Sequence, residues 1–173
     1  MREVIPLRDR KVDIYILFFF WFNLVFITYM FDLEQLVIRD TSDFEYPIWP
    51  PRLMIELAHW WGNNFDPALM ARPAWWQMTI WIDVLFFGPF YGFGLYAFAN
   101  GKEWIRIPAV VYASVMVTNV TIILGEEFFG SHPAPYPFVV VAANAAWIIF
   151  PVIIIARMTN DHPFTRPAKD DGE

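Results

Sequence analysis

Four stretches of the chain are long, apolar and free of charge, and they dominate the hydrophobic pattern. Uncharged runs cover residues 14–31, 84–101, 107–125 and 133–156, and the second lengthens if it begins near Pro73 and includes Asp83. A helix needs about 20 predominantly apolar residues to cross the hydrocarbon of a bilayer. The pattern therefore predicts four transmembrane helices, at about 12–32, 74–99, 105–125 and 137–157.

The long loop between the first two spans carries a helical pattern of its own. Its apolar residues recur at helical spacing, with tryptophan at the rim: Leu53, Leu57, Trp60, Trp61 and Phe65. This arrangement predicts a short interfacial helix that covers the bundle, and the alternative is a loop with ordinary interfacial aromatic residues. Short turns at 100–103 and 126–137 make the later helices antiparallel neighbours.

These elements predict an all-α membrane protein, an antiparallel four-transmembrane-helix bundle with an interfacial helix in the first loop. Composition agrees, since 57% of the 173 residues are hydrophobic and only 17% are charged, too few to cover a water-soluble domain. We assign residues 1–160 to the membrane domain and 161–173 to a polar tail, which we expect to be disordered.

Composition and charge exclude several classes of function. The chain has no cysteine, which rules out disulfides, thiolate nucleophiles and cysteine metal sites. The net charge of −6 comes without a basic patch, so nucleic acid is not expected as a partner. The three histidines follow no metal-ligand spacing and are read as surface residues. We predict no metal site and no cofactor.

The basic residues predict the orientation of the bundle. With four spans, nine of the twelve Lys and Arg fall on the side of the termini and three on the other. Short cytoplasmic loops of membrane proteins carry the excess of Lys and Arg. We therefore expect a multi-pass protein with both termini in the cytoplasm. The nine are Arg2, Arg8, Arg10, Lys11, Lys102, Arg106, Arg157, Arg166 and Lys169.

Polar residues within the spans agree in depth, which predicts an occluded pocket in the half of the bundle away from the termini. Asp83 lies inside the second span, on one face with Trp76, Thr79 and Phe87. Intramembrane ionisable residues are costly and mark functional sites. The other spans bring Asp32, Thr118, Asn119, Asn144 and Trp147 to a similar depth.

Each of these residues also has a simpler interpretation. Thr and Ser in membrane helices often bond their own backbone or join helices, and Asn144 is open between such a role and ligand contact. Asp32 can be a helix-end charge at the headgroups. Asn23 falls on the α-helical face opposite Asp32, which favours helix-to-helix contact. Asp83 is the hardest to explain in structural terms alone.

Four motifs resemble the EXPERA superfamily, which includes the sigma-2 receptor and, more distantly, the emopamil-binding sterol isomerase. They are Met-Phe-Asp-Leu-Glu at 30–34, Phe-Asp-Pro-Ala-Leu at 65–69, Pro-Ala-Trp-Trp at 73–76 and Trp-Ile-Arg-Ile-Pro-Ala-Val-Val-Tyr at 104–112. The resemblance implies four membrane helices around a pocket that opens to lipid and holds a sterol or cationic amphiphile. It leaves a homodimer open.

The resemblance also implies roles for individual residues. An aspartate at the position of Asp32 pairs with the ligand amine, and one at the position of Asp66 supports it. A family acid is matched by Asp83, while the isomerase's Asn and Trp are matched by Asn144 and Trp147. We expect Asp32 and Asp66 to hydrogen-bond, directly or through water. The expected ligand-binding residues are Asp32, Asp66, Asp83, Trp76, Thr118, Asn119, Asn144 and Trp147.

Three classes of function remain. The leading one is a membrane-embedded binding protein for a sterol or other hydrophobic or cationic amphiphile, in lipid handling or sensing. A sterol double-bond isomerase using Asp83, with Trp147 stabilising a carbocation, is an alternative. The isomerase's proton carriers are replaced here by Asn23, Ile27 and Ile80, and this replacement weakens the isomerase alternative. A structural or chaperoning membrane partner is the third.

Overall fold

Six helices account for most of the fold. The computed structural model describes residues 2–168, and four of its helices are long and apolar enough to cross a membrane. The prediction of an all-α protein with four membrane-spanning helices is confirmed. The helices are α1 Lys11–Val37, α2 Arg52–Asn64, α3 Pro67–Ala71, α4 Ala74–Ala99, α5 Glu103–Phe129 and α6 Pro137–Met158.

Helix α2 occupies the segment of the first loop where the apolar spacing predicted a helix. It begins directly after Pro51. Proline is tolerated at this position because a backbone N–H at the start of a helix would have no partner within the helix. Leu57 and Trp60 remain about half exposed, while Ala58 on the opposite face is fully buried. A helix with one buried face and one apolar exposed edge is suited to the boundary between lipid and water.

Two of the long helices contain wide π-helical segments, Asn23–Asp32 in α1 and Asp83–Phe87 in α4. In a π-helix each backbone N–H bonds a carbonyl five residues back, so a turn holds more residues than the 3.6 of an α-helix. Side chains beyond such a segment point in directions that an α-helical wheel does not predict. Asp32 ends the first segment and Asp83 begins the second.

An aromatic core fills the middle of the bundle. Phe20 of α1 packs edge-on against Phe90 and Phe98 of α4, and Phe90 stacks on Tyr112 of α5 at 4.2 Å between ring centroids. A Cβ at Gly94 would lie 2.8 Å from the Phe20 ring, so glycine permits this approach. In lipid, such close packing rather than exclusion of water holds helices together.

The termini meet at one end of the bundle, and we call the opposite end the outer end. Strand β1, Arg2–Val4, pairs antiparallel with strand β2, Thr165–Pro167. Phe164 is fully buried next to them. The expectation of a disordered tail from residue 161 onward is therefore wrong for residues 161–168, because the pairing and Phe164 hold them. Residues 169–173 lie outside the described part of the chain.

A buried ionic cluster lies beside these strands. Asp13 is fully buried and accepts from Arg10 at 2.6 Å and from Arg157 at 2.9 Å. Arg10 also donates to the carbonyl oxygens of Phe98 and Ala99, the last two residues of α4. Removal of one partner from a buried ion pair leaves an uncompensated charge, so this cluster ties three of the spans together at the terminal end.

Candidate functional site: a polar pocket in the outer half of the bundle

A cavity of about 310 Å³ opens in the outer half of the bundle. Each of the four spans contributes at least one polar residue to its wall, among them Asp32, Asp83, Asn119 and Asn144. The rest of the wall is mostly apolar, with side chains such as Ile27, Phe31, Ile80, Phe87, Met116 and Ile123. The volume and the few convergent polar groups are typical of a small-molecule site. The agreement in depth along the sequence therefore corresponds to one cavity.

Helix α2 and the start of α3 roof this cavity. Leu57, Trp60 and Trp61 of α2 line it, together with Asp66 and Leu69. Asp66 is the N-cap of α3, because its carboxylate accepts from Leu69 N at 3.0 Å. An Asp before Pro67 at the first helical position is a strong start signal for a helix. The cap therefore places the Asp66 side chain at the mouth of the cavity.

The carboxyl groups of Asp32 and Asp83 contact each other on the cavity wall. Both residues are more than 90% buried. Asp83 Oδ1 accepts from the Thr28 hydroxyl at 2.7 Å. Two carboxyl groups can hydrogen-bond only with a proton between them, and without that proton their site attracts a cation. The pair can therefore receive either a cationic group or a hydroxyl group.

Gln35 connects the acidic pair to an aromatic wall, and the sequence alone did not single it out. Its amide donates to Asp32 Oδ1 at 3.2 Å and accepts from Trp76 Nε1 at 2.6 Å. Gln35 lies one helical turn after Asp32, a spacing that could have indicated the contact. The bridge orients the Trp76 ring, and the stripe of Trp76, Thr79, Asp83 and Phe87 is buried as its spacing predicted.

A second carboxyl contact lies at the roof, between Asp66 and Glu127. Burial raises the pKa of Asp66, while hydrogen bonds to its carboxylate act in the opposite direction. Glu127 is 1% exposed. Neither carboxylate oxygen of Glu127 has a conventional donor among the described residues. The sequence alone did not single out Glu127, although Asn119, Ile123 and Glu127 follow one another at i, i+4 on α5.

Asp32 and Asp66 were expected to hydrogen-bond directly or through water, and each instead lies next to a different carboxyl. The direct bond is not seen, and the contact through water stays a prediction. The contacts described for residues 2–168 include no hydrogen bond between them. Both nevertheless line the same cavity. The reason is the position of α3, which directs Asp66 toward the end of α5, while the π-helical segment of α1 directs Asp32 toward α4.

Trp147 of α6 is held by a hydrogen bond from its indole nitrogen to Asn23 Oδ1, at 2.6 Å. An α-helical wheel puts Asn23 opposite Asp32. The segment from Asn23 to Asp32 is π-helical, so the two residues are closer in direction than that wheel predicts. Asn23 joins two helices, as expected, and it also fixes the orientation of a cavity-lining ring.

Seven of the eight sequence-predicted ligand-binding residues line the cavity, and Thr118 does not. The Thr118 hydroxyl is exposed and donates to Ser114 O of its own helix at 2.9 Å. Thr118 and Asn119 are neighbours along α5, which puts them about 100° apart around the axis. Asn119 consequently faces the cavity while Thr118 faces outward.

Comparison with known proteins agrees with this architecture. The family model described as EXPERA (EXPanded EBP superfamily) matches residues 53–158. The chain belongs to the EXPERA superfamily. The EXPERA match begins in the roof helix α2 and ends with α6, so it includes every wall of the cavity except the one formed by α1.

Curated relatives extend the similarity into α1. The chain is 30% identical to the sigma intracellular receptor 2 of Xenopus tropicalis over 83% of this chain and 86% of the relative. It is 28% and 29% identical to those of Macaca fascicularis and Homo sapiens, over 72% of this chain in each case and 67% and 66% of the relatives. The EXPERA fold is thus shared over most of the chain.

The arrangement suits an amphiphilic guest better than a metal ion. Among residues 2–168, no group of three or more His, Asp or Glu side chains is placed to hold a metal. The cavity instead combines aromatic walls at Trp76 and Trp147 with the Asp32–Asp83 pair on its wall and Asp66 at its roof. Such a site can enclose an apolar body and bind one polar or cationic group.

Proposed function

We propose that this protein is a membrane-embedded binding protein for a sterol or another hydrophobic or cationic amphiphile, acting in lipid handling or sensing. The observation that carries the proposal is the apolar cavity with the Asp32–Asp83 pair on its wall. A carboxyl pair in an apolar wall is costly without a function. Membership of the EXPERA superfamily supports the same class of ligand.

The proposed ligand is oriented by its polar group. Asp32 and Asp83 accept from an ammonium or hydroxyl group, while Trp76 and Trp147 lie along the apolar body or face the cation. Asp66 closes the site at the roof. Asn119 and Asn144 supply amide groups on the α5 and α6 sides. Thr118, which faces outward, is not part of this proposal.

Binding is favoured over sterol isomerisation by the distribution of proton carriers. Moving a double bond requires a donor and an acceptor on different parts of the ring system. Asp32 and Asp83 contact each other and so act from one place. Ile27 and Ile80 line the wall where the isomerase has acidic or basic side chains. A purely structural role would leave the buried Asp83 without a reason.

We also propose that both termini face the cytoplasm. The positive-inside rule supports this orientation. Two of the basic residues make their contacts at the terminal end of the bundle. Arg106 donates to Met158 O at 2.8 Å, and Arg166 pairs with Glu3 at 2.5 Å.

Ligand binding by Asp32→Asn protein tests the proposal. Purified parent and variant are titrated with a hydrophobic tertiary amine and with cholesterol, and Asp43→Asn, an exposed carboxyl in the loop after α1, is the matched control. A hydrogen bond to a charged group contributes about 1.5–3 kcal/mol. Affinity for the amine should therefore fall roughly tenfold or more, with a much smaller loss for cholesterol.

Equal losses for both ligands would show that Asp32 is not the cation anchor. Failure of the parent protein to bind either probe, with no lipid found by mass spectrometry in the purified sample, would reject the proposed function.

A further inference from the structure

Three ionisable residues outside the cavity wall form a buried cluster at the outer end. Glu34 is fully buried, and both of its carboxylate oxygens lie 2.9 Å from Arg72 Nη2. His59 Nε2 lies 2.8 Å from Glu34 Oε1, with 15% of the His59 side chain exposed. The reading of His59 as a surface residue is therefore wrong, because the turn between α1 and α2 folds over it and Phe44 packs on its ring.

The cluster joins segments that are far apart in sequence. Glu34 belongs to the outer end of α1, His59 to α2, and Arg72 to the C-cap of α3. Arg72 also donates to the carbonyl oxygens of Ile38 and Leu69. One carboxylate thus holds the roof helix α2 and the short helix α3 against the end of the first span.

The ion pair in this cluster is almost completely buried, so its charged groups must stay paired. The arginine side chain is 3% exposed and the Glu34 side chain 0%. Buried charges are tolerated when they are paired and hydrogen-bonded, and loss of one partner is strongly unfavourable. Arg72 adopts a left-handed conformation, φ 46°, which is uncommon for a residue with a side chain. Hydrogen bonds to Leu69, Ile38 and Glu34 hold its guanidinium in place.

The position of the cluster relates it to the roof of the cavity. Neighbours of two of its members line the cavity: Asp32 and Gln35 flank Glu34, and Trp60 and Trp61 follow His59. The other ion pair on α2 among the described residues is the exposed one of Arg52 and Glu56, 2.7 Å apart. Exposed pairs contribute little to stability. The buried cluster is thus the main ionic attachment of α2.

We propose that Glu34, Arg72 and His59 form a clamp that holds helix α2 across the outer mouth of the cavity and limits the rate at which ligand exchanges. This inference rests on the proposed function for its ligand, but the attachment of α2 is a property of the protein alone. The clamp residues do not touch the ligand. They act by positioning the roof that does.

Thiol labelling measures the attachment of α2 without any ligand. The chain has no cysteine, so Ala58→Cys introduces a single thiol on the buried face of α2. Labelling of this thiol by a maleimide in lipid nanodiscs reports how often α2 lifts. His59→Phe removes the hydrogen bond and keeps a ring against Phe44. His59→Gln restores an amide donor, and Glu56→Gln removes the exposed pair on the same helix as the matched control.

The expected result is about tenfold faster labelling in His59→Phe than in the parent, because a hydrogen bond to a charged group is lost. His59→Gln should lie near the parent, and Glu56→Gln should equal it. Dissociation of the tertiary amine should accelerate in the same order. If His59→Phe does not fold, His59→Leu, which also lacks a donor and leaves the Glu34–Arg72 pair intact, provides the same comparison, with faster labelling expected again.

Labelling that is equal in His59→Phe and Glu56→Gln would overturn the clamp. Faster labelling with unchanged amine dissociation would overturn its control of exchange and place the ligand's path elsewhere. If the parent protein binds no amine, the proposed function fails while the labelling experiment still decides whether the clamp holds α2.

Discussion

The hydrogen bond between Asn23 and Trp147 offers a direct test of how the cavity wall is assembled. Asn23 is completely buried, and its amide group also donates to Phe19 O at 2.7 Å. We would replace Asn23 by Leu, which is similar in size and has no polar atom. Trp147→Phe keeps an aromatic ring on the wall and removes the indole donor.

The structure sets the expected magnitude. Interhelical hydrogen bonds in membranes contribute about 0.6 kcal/mol on average and about 1.7 kcal/mol at most, because the unfolded chain in the membrane also finds polar partners. This bond is short, at 2.6 Å, and joins α1 to α6, which otherwise packs chiefly against α5. We therefore expect a coupling energy of about 1–1.7 kcal/mol. Asn23→Leu alone should cost about 1–3 kcal/mol, since it leaves the indole N–H unpaired.

A double-mutant cycle isolates this coupling. The free energy of unfolding is measured in mixed micelles of increasing denaturing-detergent content for the parent, both single variants and the double variant. The double variant should lose less stability than the sum of the single variants. Ser114→Ala, on the exposed side of α5, combined with Asn23→Leu serves as the additive control. A coupling within about 0.5 kcal/mol of zero for Asn23 and Trp147 would refute the reasoning.

Two further predictions concern orientation and chemistry. Reporter fusions after Arg10 and Lys102 and at the C-terminus should all report the cytoplasm, and a reporter inserted at Ser42 should report the opposite side. A C-terminal reporter and a Ser42 reporter on the same side would contradict the proposed orientation. A sterol isomer incubated with the purified protein should remain unchanged when it is analysed by chromatography. The reason is that the Ile27 side chain on the cavity wall can neither donate nor accept a proton. Turnover that disappears in Asp83→Asn would establish the isomerase alternative instead.

The sequence by itself determined the membrane class, the number of spans and the depth of the cavity. Transfer of a helix into hydrocarbon depends on the residues of that helix, so four apolar runs suffice to predict four spans. The depth of a residue in the membrane likewise depends only on its position along its own helix, because each residue adds a constant rise. Asp32, Asp83, Asn119 and Asn144 therefore meet in one cavity, as their positions along the helices predicted.

Only the tertiary structure decided which side chains meet. The π-helical segment of α1 turned Asp32 toward the side of Asn23. The register of α5 turned Asn119 to the cavity and left Thr118 outside. The contacts of Asp83 with Asp32 and of Glu127 with Asp66 join elements that are distant in sequence. Such pairings depend on the packing of one helix against another, and no local pattern encodes them.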